Sequence, residues 1–381
     1  MRTSLFEFQV NKGWQLASAN LAKDSANTLL LLFSSLPAKE IEQPLALLRR
    51  TYPLAVVMGC STAGEILQER FIEPGIVAAA IEFEHSTLAL HNCKLTHSSN
   101  SFAVGTQLGK ALKSSPQLKT VFVLSEGIVI NGSQLVHGFN TALNGQIPIT
   151  GGLAGDGNRF QSTWTLNNGH IDSNTVCALG IYGEKAGVSY GSKGGWDVLG
   201  PERKITHSQE NILFELDGQP ALRLYKKYLG DRVEGLPATA LLFPLAIRNP
   251  QDDKEITVRT ILGIDEENQS LTFAGDIPQG SHVQLMHANF DRLVDGAEDA
   301  AGMMHPPKDI LGDMCCIAIS CVGRRLILGA RVEEEIEAVL DALPAGAKQI
   351  GFYSYGELSP TGAGSCDLHN QTMTLTLWWE R

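Results

Sequence analysis

Two short turns hold the residue types that could do chemistry. One reads GCSTAGE, residues 59–65, and the other GFYSYGE, residues 351–357. In both, two glycines stand five apart, a glutamate follows at once (Glu65, Glu357), and the next residue is aliphatic (Ile66, Leu358). Hydroxyls lie between the glycines: Ser61 and Thr62 in the first, Ser354 and Tyr355 in the second. A third turn, GGLAGDG at 151–157, ends in Gly155-Asp156 with its first glycine offset, and a fourth Gly-Asp pair, Gly275-Asp276, reads as an ordinary turn. Glycine accepts positive φ and lets a backbone or ligand come close, and strand ends are where ligands of α/β sheets sit. Ser61, Thr62, Glu65, Gly152, Asp156, Ser354, Tyr355 and Glu357 are therefore the candidate ligand-binding set.

Other chemistries have weaker signals. GCSTAG is close to the G-x-S-x-G nucleophile elbow, which would make Ser61 the serine of a hydrolase, but its second glycine comes one residue late. Tyr353 takes the place of Ser61 in the second turn, and no histidine and acid stand out as partners. No phosphate loop or Rossmann fingerprint is present. His91 and Cys93 could point together from a strand, yet no third ligand has suitable spacing, so no metal site is expected. The seven cysteines form no CxxC, and Cys315, Cys316 and Cys321 read as buried thiols.

The elements that must position the turns recur with them. An apolar run at 27–34 and a helical pattern at 40–50, with Ile41, Leu45 and Leu48 on one face, precede the first turn. Residues 314–322 and 332–343 do the same for the second, and extended runs return after each, at 76–83 and 372–379. A middle unit, 121–124, 132–143 and 147–150, leads into GGLAGDG. The predicted fold is α/β: two modules with mixed parallel and antiparallel sheets and an internal pseudo-repeat of strand-helix-strand units. Further expectations are a helix over 16–26, strands around 162–166 and 176–182 joined by the NNG turn at 167–169, a glycine-rich loop at 191–201 carrying Trp196, a strand at 240–245 and a helix over 219–229.

Bulk properties narrow the function. With 381 residues, 43% hydrophobic and 19% charged, the chain has the composition of a soluble globular protein with room for two domains. A net charge of −11 and no basic run argue against nucleic acid as a partner. The N-terminus lacks a signal-peptide pattern and the apolar run at 29–33 is too short to span a bilayer, which predicts a cytoplasmic protein with no membrane partner.

Several stretches in order resemble the FIST family of sensory domains: GCSTAGEI from Gly59, ITGGLAGDG from Ile149, GWDVLGPERKIT from Gly195 and NILFELDGQPALRLYKKYLG from Asn211. VRTILGIDEENQSLTFAGDIPQGSHVQLM from Val258, VDGA at Val294 and FYSYGELSP from Phe352 continue the resemblance. It implies a FIST N-terminal module at 25–215 and a FIST C-terminal module at 216–365, with a final strand at 371–379 completing the fold. It implies ligand sensing rather than catalysis. The chain is similar to the free-standing bacterial FIST proteins that bind b-type haem, sense nitric oxide and signal in trans to a histidine kinase or a cyclic-di-GMP pathway. A non-haem FIST sensor of an amino acid or other small molecule is the alternative, and a homo-oligomer is compatible with either. Candidate haem ligands are His137, His287 and His305, of which one is expected.

Overall fold

Thr28–Ser34, Ile149–Leu153 and Cys315–Cys321 are buried at every residue, as strands covered on both faces must be. Each belongs to a parallel pair: Thr28–Ser34 with Val56–Ser61, Leu118–Ser125 with Ile149–Leu153, and Cys315–Cys321 with Lys348–Ser354. The computed structural model describes residues 1–18, 21–236, 238–249, 252–308, 310, 312–361 and 364–381. The crossovers are helical: Ala38–Thr51, Gly132–Leu143, and in the last unit Val322–Leu328 followed by Val332–Ala342. A returning strand then pairs antiparallel with the first strand of each unit: Ile76–Glu82, Thr175–Tyr182 and Met373–Glu380. The repeat expected from sequence is thus present three times, in a mixed α/β fold.

The units are not self-contained. The segment after each turn forms a small hairpin that leaves its own unit and adds to the sheet of another. Glu65–Leu67 of the first unit pairs with Lys348–Ser354 of the last. Gly356–Pro360 of the last pairs with Ile149–Leu153 of the middle, and Thr165–Asn167 of the middle pairs with Val56–Ser61 of the first. The exchange closes a ring of three sheets with seven, six and six strands. All three contribute to one core, in which Phe33 meets Phe352 at 4.7 Å and Phe122 meets Trp378 edge-on at 5.2 Å.

An additional unit interrupts the last repeat between the Ala186–Lys193 strand and the Phe290–Gly302 helix. Its eight-stranded sheet runs from Asp197–Gln209 to His282–His287 and packs on the Ala221–Leu229 helix around its own core, which includes Leu213, Leu222, Tyr225 and Phe273.

Several expectations are corrected. The described part of 16–26 is not helical: Leu16 ends the Gly13–Leu16 strand, which pairs with Arg2–Gln9, and hydroxyls of Ser4 and Ser18 accept the N–H groups of Ala22 and Leu5. Sheet edge and side-chain acceptors outcompete helical bonds there. The hairpin around Asn168-Gly169 joins Thr165–Asn167 to His170–Asp172, while Thr175–Tyr182 lies in a different sheet. Most of 191–201 is strand, and Trp196 is buried with its Nε1 donating to the Gln371 carbonyl at 2.8 Å. Ala238–Leu242 is a 3-10 turn, and the strand begins at Leu245. Among the described residues no helix is long and apolar enough to cross a membrane.

Candidate functional site: a junction of three turns and the cleft beside it

The first glycine of each turn has one physical reason. A Cβ on Gly59 would lie 2.2 Å from the Leu32 carbonyl oxygen, on Gly151 1.9 Å from that of Val123, and on Gly351 1.7 Å from that of Ala318. Each carbonyl belongs to the parallel partner strand, so only glycine allows the pairing. Gly151 is therefore in step with Gly59 and Gly351; in the middle turn it is the acid that is displaced, with Asp156 where the other turns have Gly64 and Gly356.

The turns bind one another. Ala63 N donates to the Tyr353 carbonyl at 2.8 Å and Tyr353 N to that of Gly64 at 2.9 Å, joining first and last. Gly155 N donates to the Ser61 carbonyl at 3.0 Å, joining middle and first, and Tyr355 N donates to Leu153 O at 3.2 Å, joining last and middle. Of the candidate set, the structure brings together Ser61, Thr62, Glu65, Gly152, Asp156, Ser354, Tyr355 and Glu357 at this junction, but most face inward. Ser61 is 4% exposed and its hydroxyl accepts the Trp164 N–H at 3.0 Å. Glu65 and Glu357 are fully buried. The Thr62 and Ser35 hydroxyls donate to Glu65, and those of Ser354 and Thr372 donate to Glu357 at 2.7 and 2.9 Å. Burial pushes both carboxyls up to about 8, against hydrogen bonds that pull them down.

Asp156 behaves in the opposite way. Burial alone would raise its pKa, but the Tyr355 hydroxyl and the N–H groups of Phe160, Gln161 and Ser162, at 2.8 to 3.0 Å, together hold it below the usual range. Glu126 organises another loop, accepting the backbone N–H groups of Ile128, Val129 and Ile130 at 3.0, 3.1 and 2.5 Å. These two loops are rims of a cleft of ≈ 1210 Å³ past the carboxyl ends of Leu118–Ser125 and Ile149–Leu153. Leu153 and Tyr355 reach it from the turns, and Leu242, Leu262 and Phe273 face them from the inserted unit. Asp276, of the Gly-Asp pair read as an ordinary turn, holds that unit to the core by accepting from Asn131 Nδ2 at 2.9 Å and Gln134 Nε2 at 2.7 Å.

Sequence reasoning missed this cleft because its apolar residues come from many separate stretches of the chain, between Ile128 and Tyr355, with no common spacing. One signal was available: the run GIVIN at 127–131 places three β-branched residues after a strand-ending Ser125-Glu126, where a polar loop is the norm. A second missed feature is Arg324, fully buried with Glu335. Its guanidinium donates to Glu335 at 2.7 and 3.0 Å and to the carbonyls of Gly194 and Leu293, while Ser320 and Tyr353 hydroxyls complete Glu335.

The candidate haem ligands are scattered. His137 is exposed and packs on Phe102 at 5.3 Å beside a separate cleft of ≈ 350 Å³. His287 Nδ1 lies 3.3 Å from the Ala288 carbonyl, and His305 is exposed, with its backbone N–H donating to Ser189. Haem needs an axial donor and cations for its propionates. Among the described residues the large cleft is lined by no histidine, cysteine, methionine, lysine or arginine, and the phenol of Tyr355 is committed to Asp156. The lining does not fit the group. Six of the seven thiols are buried and protonated, and no cluster of metal-ligating side chains occurs among the described residues.

Three units exchange strands around one junction whose acids are buried, beside an apolar cleft walled in part by the inserted unit. Residues 28–219 match the FIST N domain and residues 221–360 the FIST C domain. The chain belongs to the FIST family, whose domains serve sensory signal transduction rather than catalysis. It is also similar to an uncharacterized protein of Methanocaldococcus jannaschii, 23% identical over 367 residues, covering 87% of this chain and 70% of that one.

Proposed function

We propose that the chain senses a small molecule bound in the cleft between the three-unit core and the inserted unit, and passes its occupancy to a signalling output. One observation supports this most: a large apolar cleft whose two rims are each fixed by a buried carboxylate accepting three backbone N–H groups, one of them tied through Tyr355 to the turn junction. A preformed pocket of this kind is the usual form of a ligand site. Because the inserted unit and the core form opposite walls, a ligand that touches both favours one arrangement of the two, which is what a sensor requires. The output is a histidine kinase or a cyclic-di-GMP enzyme, the class implied by the family resemblance.

The absence of cations and soft donors from the described lining favours the non-haem reading over haem and nitric oxide. The test is an absorption spectrum of protein expressed with haem supplied, beside a thermal-shift screen of uncharged metabolites. A colourless protein whose melting temperature rises with a metabolite, and fails to rise in Leu262→Arg, is the expected result. A Soret band that shifts with nitric oxide and disappears in one of the His137, His287 or His305 alanine variants would overturn it.

A further inference from the structure

We propose that the cleft takes an uncharged planar ring system, stacked on the outer face of Phe160, an assignment of ligand class that rests on reading the cleft as the sensing site.

The ring of Phe160 lies on that of Tyr355 with centroids 4.4 Å apart and planes 15° from parallel. Tyr355 covers one face; the ring is still 41% exposed and lines the cleft. Its placement is fixed. Phe160 has φ of +52°, a left-handed conformation rare for a bulky side chain, and its N–H is bound at 2.8 Å by Asp156, which also takes the next two N–H groups. Backbone strain maintained by a buried carboxylate, in order to hold an aromatic ring half out of the protein, points to a use for the free face.

The rest of the lining sets the charge. Ile128, Leu242, Leu262 and Leu326 are aliphatic and partly exposed around the cleft, and Asn158 offers a neutral amide, while that of Asn131 is taken up by Asp276 and Gln134. Glu210 is the one charged side chain in the lining among the described residues. Arg159, beside Phe160 in sequence, lies 3.8 Å from Asp156 and does not line the cleft. A carboxylate, sulfonate or phosphate would enter without a counter-charge, which low-polarity surroundings penalise, whereas a neutral aromatic ring gains stacking and burial. Contact with Phe160 also loads Tyr355, whose hydroxyl and backbone N–H bind the middle turn. The ring that would touch the ligand is thus one side chain away from the junction.

The test uses two dyes that differ by one sulfonate, phenylnaphthylamine and anilinonaphthalene sulfonate, titrated into the full chain and followed by emission. The neutral dye is expected to bind at least about tenfold more tightly than the anionic one. Phe160→Leu, which keeps apolar bulk but removes the flat ring, should weaken the neutral dye about fivefold, while Phe160→Tyr stays within about twofold of the parent. Melting temperatures of both variants show whether the fold is intact. Leu262→Arg should abolish binding by blocking the cleft. If Phe160→Leu binds as well as the parent while Leu262→Arg does not bind, stacking is wrong and the cleft reading survives. If neither substitution weakens the neutral dye, or the parent does not bind it, both fail. Equal or tighter binding of the sulfonate would overturn the assignment of an uncharged ligand.

Discussion

Glu65 and Glu357 make stability depend on pH in a direction opposite to that of most carboxylates. In the folded chain each holds its proton to about pH 8; unfolded, each ionises near its ordinary value of 4.5. Between those limits the folded state carries the extra proton, so stability falls as pH rises, by about 1.4 kcal/mol per unit for each group, and levels off above pH 8. From pH 5.5 to 7.5 the expected loss is about 3 kcal/mol per group, so about 5 to 6 for the two together. Glu73 adds to the effect at Glu65, and Arg324 slightly relieves it at Glu357. Asp156 and Glu380, both held low, act only at the acidic end and leave this window clear. Glutamine mimics the protonated acid, since its amide can accept from one neighbouring hydroxyl and donate to the other. Urea unfolding followed by the fluorescence of the buried Trp164, Trp196, Trp378 and Trp379 measures the difference. The stability of Glu65→Gln relative to the parent should grow by about 1.4 kcal/mol for each pH unit in the window, and likewise for Glu357→Gln. A difference that is flat with pH, or shrinks, would show that these acids are ionised in the fold and refute the reasoning.

Two further outcomes are expected from the geometry. Arg324→Met leaves the Glu335 carboxylate buried with only hydroxyl donors and should cost about 3 to 5 kcal/mol; adding Glu335→Leu should restore much of that, and a double variant no more stable than the single would refute the pairing account. Ser61→Ala removes the acceptor of the Trp164 N–H and should cost about 1 to 3 kcal/mol, while a fluorophosphonate probe leaves the parent unlabelled; covalent labelling at Ser61 would revive the hydrolase reading.

What was legible in the sequence was periodic. The helix expected at 132–143 has those very bounds, because its apolar positions repeat and Asn131 caps it by accepting the Gln134 N–H. The repeat was legible because each turn must place a glycine against a neighbouring carbonyl. Partner choice was not: nothing within 165–172 says that it completes the sheet of 56–61, since the same alternation would pair with any exposed edge. The acids were recognised by type but not by exposure. Glu65 and Glu357 follow glycines at strand ends, where a carboxylate could face either solvent or core, and only the hydroxyls of Ser35 and Thr372, 30 residues before one and 15 after the other, show that they face inward. The cleft escaped notice because its walls come from the core and the inserted unit together.

The cyclic exchange of hairpins also dictates an order of assembly on the ribosome. The first sheet can be completed once residue 172 has emerged, whereas the Ile149–Leu153 strand has an open edge until Gly356–Pro360 is made, some two hundred residues later. An unpaired buried-type strand is a template for wrong partners. The inserted unit, with its own core, has time to fold during that wait. Cutting the chain between the two matched segments would strand Glu65–Leu67 and Ile149–Leu153 without their mates, so neither half can be expressed as a faithful miniature of the whole.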